Sequence, residues 1–277
     1  MLYRCISEDL KRLIMKKTAW LSAIVYVAIG YGNFVFIMSE QPFVNPNFIQ
    51  PSAFEYFVQA QGGGSGFLII LLPFLVTLGT GDFLIKEKQS SMMSYYLTIC
   101  SNMAYIRNRI ISLGLTSFVF IFVCQMFLFC VALFLFPIEM PLEQNQGMIF
   151  YALDLLMSNP WLYTFIIIIN SCLMAFCFST ISIAVSLVVR NFYAAVMLPY
   201  FLFVVFSEIL NGLPLIFGIQ SLPFHHFSPS GMVGSYISIH DKLFVVPLYW
   251  ILFGGLSTIL TTIVFFYRLK TDKLIAV

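Results

Sequence analysis

Charge is what this sequence has least of: 14 basic and 12 acidic side chains make up 9% of its 277 residues, against about 25% in an average soluble domain. So few charges cannot solvate the outside of a water-soluble fold in which 60% of the residues are hydrophobic and 17% aromatic. The same composition excludes a disordered chain, which is poor in aromatics and rich in charge. A formal net charge of +2 also excludes the broad basic surface of a nucleic-acid-binding domain, so no nucleic-acid partner is expected.

Residues that carry chemistry are equally thin. His225, His226 and His240 share one segment with Asp241, but there is no His-Glu-x-x-His, and adjacent histidines rarely ligate one metal together, so no metal site is expected. The run Gly62-Gly63-Gly64-Ser65-Gly66 and the stretch GTGDFLIK at 79–86 lack the Gly-Lys-Ser/Thr ending of a phosphate-cradling loop. They are expected to be a connector and a helix break, and the chain is expected to hold no cofactor and no ATPase site. An intramembrane enzyme would need paired carboxylates or a Ser/Lys pair at one depth, which the apolar runs do not supply. Of the six cysteines, Cys124, Cys130, Cys172 and Cys177 lie inside apolar runs, where a cysteine is expected to act as a small packing residue.

What the sequence has is apolar length. Runs close to the roughly 20 residues that cross a bilayer occur at about 18–38, 67–85, 110–136, 161–189, 192–210 and 243–267. The expected fold is an all-α polytopic membrane protein, a single transmembrane domain over residues 1–277 with six transmembrane helices. The first run is too long for the ~7–15-residue apolar core of a signal peptide, so it is expected to stay as an anchor. Of the 14 basic residues, only Lys242 falls on the far side of the six runs. The positive-inside rule therefore puts both termini in the cytoplasm and the segments 39–66, 137–160 and 211–242 outside. Trp20, Trp161 and Trp250, near the ends of runs, are expected interface anchors.

The segments between the runs differ in kind. In residues 1–17, Leu2, Ile6, Leu10 and Leu13 recur every three or four positions while Arg4, Glu8, Lys11 and Arg12 fill the other face, the pattern of an amphipathic helix lying in the interface against membrane lipid. Residues 211–224 (NGLPLIFGIQSLPF) are apolar, too short to cross and broken by Gly and Pro, which suits a re-entrant element before the last helix. The cytoplasmic loop 86–109 opens with Lys-Glu-Lys, closes with Arg-Asn-Arg, and between them carries the apolar stretch Met92, Met93, Tyr96, Leu97 and Ile99. A short apolar helix pinned at both ends by charge is a candidate for docking into a partner's groove. Glu208 is the one carboxylate embedded in a run. It reads either as part of a substrate path or gate, or as a side chain near the outer end that reaches headgroup water.

Taken together, this plan resembles the membrane (permease) subunit of type-two ATP-binding-cassette (ABC) exporters. The likeness covers the whole length, and its most specific part is IKEKQSSMMSYYLTICSNMAYIRNRI at 85–110. Glu87, the stretch 92–99, Ser101 and Arg109 stand roughly where the family has a glutamate, an apolar coupling helix, a Pro-x-Ser/Thr turn and a basic residue opening the third span. The family's glycine after the glutamate and its proline before Ser101 are missing. The resemblance implies a homo- or heterodimer of permease subunits in a bacterial plasma membrane, paired with cytoplasmic ABC ATPase subunits that bind the ATP and Mg. It further implies outward movement of a hydrophobic or amphipathic solute such as a peptide, toxin or drug. Glu87, Met92, Met93, Tyr96, Leu97 and Ile99 would couple the chain to its ATPase. The alternative is an accessory or immunity membrane protein that binds a partner without transporting.

Overall fold

The computed structural model describes residues 2–44, 52–62, 67–81, 83–90, 92–140, 152–189, 191–216, 229, 232 and 244–271. Among these residues every regular element is a helix: α1 (Leu2–Met15), α2 (Lys17–Val44), α3 (Ala53–Gly62), α4 (Phe67–Thr80), α5 (Phe83–Gln89), α6 (Met92–Ile99), α7 (Asn102–Leu135), α8 (Leu153–Ser158), α9 (Pro160–Val188), α10 (Phe192–Ile216) and α11 (Val245–Lys270). Five of them, α2, α7, α9, α10 and α11, are long and apolar enough to cross a membrane. Four of the five present rows of large exposed apolar side chains, such as Leu248, Leu252, Leu256, Ile259 and Ile263 on α11. A soluble monomer rarely exposes apolar patches of that extent, and the chain is a multi-pass helical membrane protein. The histidines and most of the stretch expected to re-enter the membrane lie outside the described residues, although α10 itself continues to Ile216.

The stretch expected as the second span is divided. α4 ends at Thr80 and α5 begins at Phe83, and the 14 residues of α4 rise only about 21 Å, short of a ~30 Å hydrocarbon core. Its missing length comes from a segment expected to be an external loop. α3 is buried from Ala53 to Gln61, with Ala53, Phe57 and Gln61 all at 1% exposure or less. It starts beside the end of α7, where Ala53 N–H donates to the carbonyl of Pro137 at 2.9 Å, and reaches inward to a pair of amides. Gln61 and Gln125 donate to each other at 2.8 Å, and Gln125 also donates to the Tyr26 hydroxyl. Gln125 is eleven residues back along α7 from its C-cap Phe136, so α3 and α4 together serve the crossing that neither spans alone.

α3 can start where it does because Ser52-Ala53-Phe54-Glu55 is a capping box. The Glu55 carboxylate accepts from the Ser52 backbone N–H at 2.7 Å and from its hydroxyl at 2.9 Å, while the Ser52 hydroxyl accepts from the Glu55 N–H at 3.4 Å. Glu55, in the segment 39–66 expected outside the membrane, is thereby buried at 3% exposure.

α9 is the central span and is held by small side chains. Thr180 pairs with Ser257 of α11 through their hydroxyls, Thr261 donates to the Thr180 carbonyl at 3.0 Å, and Ser186 donates to the carbonyl of Gly81 at 3.1 Å. A Cβ on Gly114 of α7 would stand 2.3 Å from the ring of Phe176 on α9, so only glycine permits that approach; close packing through small residues is how helices associate in lipid. Trp250 corrects the interface expectation: it is 1% exposed and packs on Phe178 inside the bundle. Some of the basic residues that set the expected topology have a second role. Lys16 donates to the carbonyls of Leu78 and Gly79 at the end of α4, and Lys88 to those of Ser186 and Leu187 at the end of α9. Cations satisfy the orphan carbonyls and the negative dipole of both helix C-termini.

Candidate functional site

The basic end of the bundle is built from four elements, α1, α5, α6 and the first turns of α7. Ser101 caps α7 by accepting from the Ala104 N–H at 3.3 Å, which fixes where Tyr105, Arg109 and Ser112 emerge, one helical turn apart along one face. α1 lies against that face. α5 follows the break at the end of α4, and α6 sits between α5 and α7.

A four-charge cluster locks them together. Arg109, 4% exposed, donates from Nη1 to both carboxylate oxygens of Asp9 at 3.0 and 3.2 Å and from Nη2 to Glu87 Oε1. Arg12 donates to the same Glu87 oxygen at 3.1 Å. The Tyr105 hydroxyl donates to Glu87 Oε2 at 3.1 Å, and the Ser112 hydroxyl donates to Asp9. Two carboxylates and two guanidiniums balance, and both buried acids have their oxygens filled. The Arg109 guanidinium also lies 5.5 Å from the centre of the Tyr96 ring, which stacks on Tyr105, so α6 joins the cluster through a cation–π contact. Burial pushes the Glu87 carboxyl above its ordinary range and the charge of Asp9 adds to this, while Arg109 and Arg12 pull it down. The carboxylate is therefore held by its two arginines against the cost of leaving water.

This arrangement sorts the residues expected to couple the chain to a partner. Glu87 and Met93 are buried, at 3% and 2% exposure. Met93 packs in an apolar cluster with Leu13, Phe83, Ile106 and Phe265, against which Tyr96 and Leu97 rest half-buried. These four residues assemble the platform rather than face outward. Met92 and Ile99 do face outward, and with them Tyr95, 63% exposed, and Met103 at the start of α7. Sequence reasoning missed Tyr95 and Met103 because the narrow polar stripe of Ser94 and Thr98 has an apolar flank on either side and does not say which of them faces out. It also missed Asp9, although the signal was present: a carboxylate three residues after Ile6 and four before Leu13 sits on the apolar face of an amphipathic helix. Such a placement calls for a buried cation.

Glu208 lies far from this cluster. It is exposed on α10, 16 residues or about 24 Å along the helix from Phe192, flanked on the surface by Phe201, Leu202 and Ile209. Among the described residues no group of three or more His, Cys, Asp or Glu side chains is placed to hold a metal. No protein-family model matches the chain, and no curated protein matches it.

Proposed function

We propose that the chain is the permease subunit of an ABC exporter, working as a dimer and driven by a separate cytoplasmic ATPase subunit. The observation that carries this reading is the outward apolar face of α6, Met92, Tyr95 and Ile99, mounted on a charge-locked platform at the basic end of the molecule. A short helix with an exposed apolar face suits docking into a groove. The buried Asp9–Arg109–Glu87 cluster makes α1, α5 and α7 one lever, so a push on α6 is transmitted to the spans and not absorbed locally. Transport then follows from tilting the spans between two arrangements. The solute class, hydrophobic or amphipathic, rests on the apolar helix surfaces and on the resemblance of residues 85–110.

The double variant Tyr95→Asp with Ile99→Asp tests the coupling assignment. It is expected to leave thermal unfolding of the purified chain within about 0.5 kcal/mol of wild type, since both side chains are exposed. It should also lose an ATPase carrying a Walker motif from the complex purified from native membranes, a weakening of about 2 kcal/mol or more. Isolation of the wild-type chain without such an ATPase would favour a non-transporting accessory protein, and a variant that retains it would overturn the docking face.

Glu208 belongs in the same reading. A carboxylate on an apolar helix face is costly against lipid, which favours placing that face of α10 at the junction of two subunits, on the solute path. Glu208→Gln is then expected to keep fold and ATPase binding while lowering transport in reconstituted vesicles several-fold. Unchanged transport would assign Glu208 to headgroup water.

A further inference from the structure

The bend between α1 and α2 encloses a second feature, unrelated to the charge cluster. The helices meet at Lys16, whose N–H donates to the Leu13 carbonyl at 3.1 Å and whose carbonyl accepts from the Ala19 N–H at 3.1 Å. The Trp20 indole N–H ties the bend by donating to the Ile14 carbonyl at 2.6 Å. Beneath this elbow is a pocket of about 310 Å³ with α1 as its roof (Leu10, Leu13, Ile14) and α2 and α7 as its walls (Ala23, Val119, Val123 among them). Every side chain lining it is apolar or, at Trp20 and Cys124, nearly so. Ile14, Trp20 and Val123 are each 58–60% exposed, so the pocket opens sideways on the surface that faces lipid.

We infer that this pocket is a site for one acyl chain of an anionic phospholipid in the leaflet on the basic side of the membrane. The volume lies at the small end of ligand pockets, which run from about 300 to 1,000 Å³, and suits a single chain rather than a folded partner. Left empty, the lining atoms would forfeit their dispersion contacts on one side; a polar ligand would find no hydrogen-bond partner. Depth agrees with a chain hung from a headgroup: Ala23 is six residues, about 9 Å, into α2 from Lys17. The headgroup charge is set by the rim. Lys11, one helical turn before the pocket residue Ile14, and Lys17, three residues after it, are both exposed, as is Glu8 one turn before Lys11, and neither lysine forms an ion pair with a described residue. No carboxylate lines the pocket. Two lysines at the interface above an apolar slot match a phosphate above a hydrocarbon tail. Bound there, the lipid is a wedge that fixes the angle between α1 and the first span.

Native mass spectrometry of the full chain, purified from vesicles of equal phosphatidylglycerol and phosphatidylcholine, tests this. Wild type should retain phosphatidylglycerol over phosphatidylcholine by roughly tenfold or more. Lys11→Gln with Lys17→Gln should bring the ratio close to one while lipid is still retained. Ala23→Phe, or Val119→Phe should the first fail to fold, fills the slot and should remove the retained lipid of either kind without changing the fold. Equal retention of the two lipids by wild type overturns the site. So does a ratio unchanged by the lysine pair, which would mean annular lipid only, or a dimer that excludes lipid from the elbow.

Discussion

Replacing Arg109 by Met is expected to destabilise the chain by about 3–5 kcal/mol and to free α1 from α7. The substitution keeps length and apolar stem but leaves Asp9 at 0% exposure and Glu87 at 3% without the guanidinium that reaches both. Removing one partner of a buried ion pair costs far more than the pair itself contributes, because the remaining charge stays out of water. Arg12 still meets Glu87 at 3.1 Å but does not compensate for Asp9. It approaches Asp9 only to 3.8 Å and is 37% exposed. Arg109→Lys should be intermediate, since a single ammonium cannot reproduce the bidentate contact to Asp9 together with the bond to Glu87. Thermal unfolding in detergent gives the stability, and the yield of a disulfide between cysteines introduced on facing positions of α1 and α7 gives the docking. A triple variant with Asp9→Asn, Glu87→Gln and Arg109→Met should recover much of the loss, because the one charge left without a partner, Arg12, is 37% exposed and reaches water. Equal stability of Arg109→Met and wild type would show that the cluster does not hold the elements together.

Met93→Asp is expected to cost about as much, roughly 3–5 kcal/mol, for a different reason. Met93 sits 2% exposed among Leu13, Phe83, Ile106 and Phe265, so an aspartate there loses the packing of the thioether and buries a carboxylate, while Arg109 is already engaged by Asp9 and Glu87. Met93→Leu should cost under about 1.5 kcal/mol as a volume-conserving change. Ile99→Asp, six residues on and 60% exposed, should be close to neutral for stability. The contrast between positions 93 and 99 is the measurement. If the two aspartates destabilise equally, α6 is rotated relative to the orientation described above.

Hydropathy made the long helices legible because it is a local property: each of α2, α7, α9, α10 and α11 satisfies its backbone within itself and needs only length and apolar surface to be recognised. The amphipathic register of α1 was equally local. The crossing made by α3 and α4 was not, since α3 is short and carries Glu55, Gln59 and Gln61. Polar residues there suit an external loop until the partners of Glu55 and Gln61, Ser52 and Gln125, are placed. The Ser-x-x-Glu box was the one local sign that a helix begins there.

The sequence alone determined that this protein lives in a membrane and that it is helical, and it led to the expectation that all its basic residues but Lys242 lie at one end, because composition, run length and charge position do not depend on how helices pack. Tertiary structure decided which residues at that end act together. Asp9 and Arg109 are 100 positions apart, and nothing in the sequence near either one specifies the other. It also decided which side of α6 faces out. Ser94 and Thr98, four residues apart, make one narrow polar stripe with apolar side chains on both flanks, so the 3.6-residue period does not say which flank is buried. Only the position of Arg109 over Tyr96 and the packing of Met93 on α1 and α7 orient it.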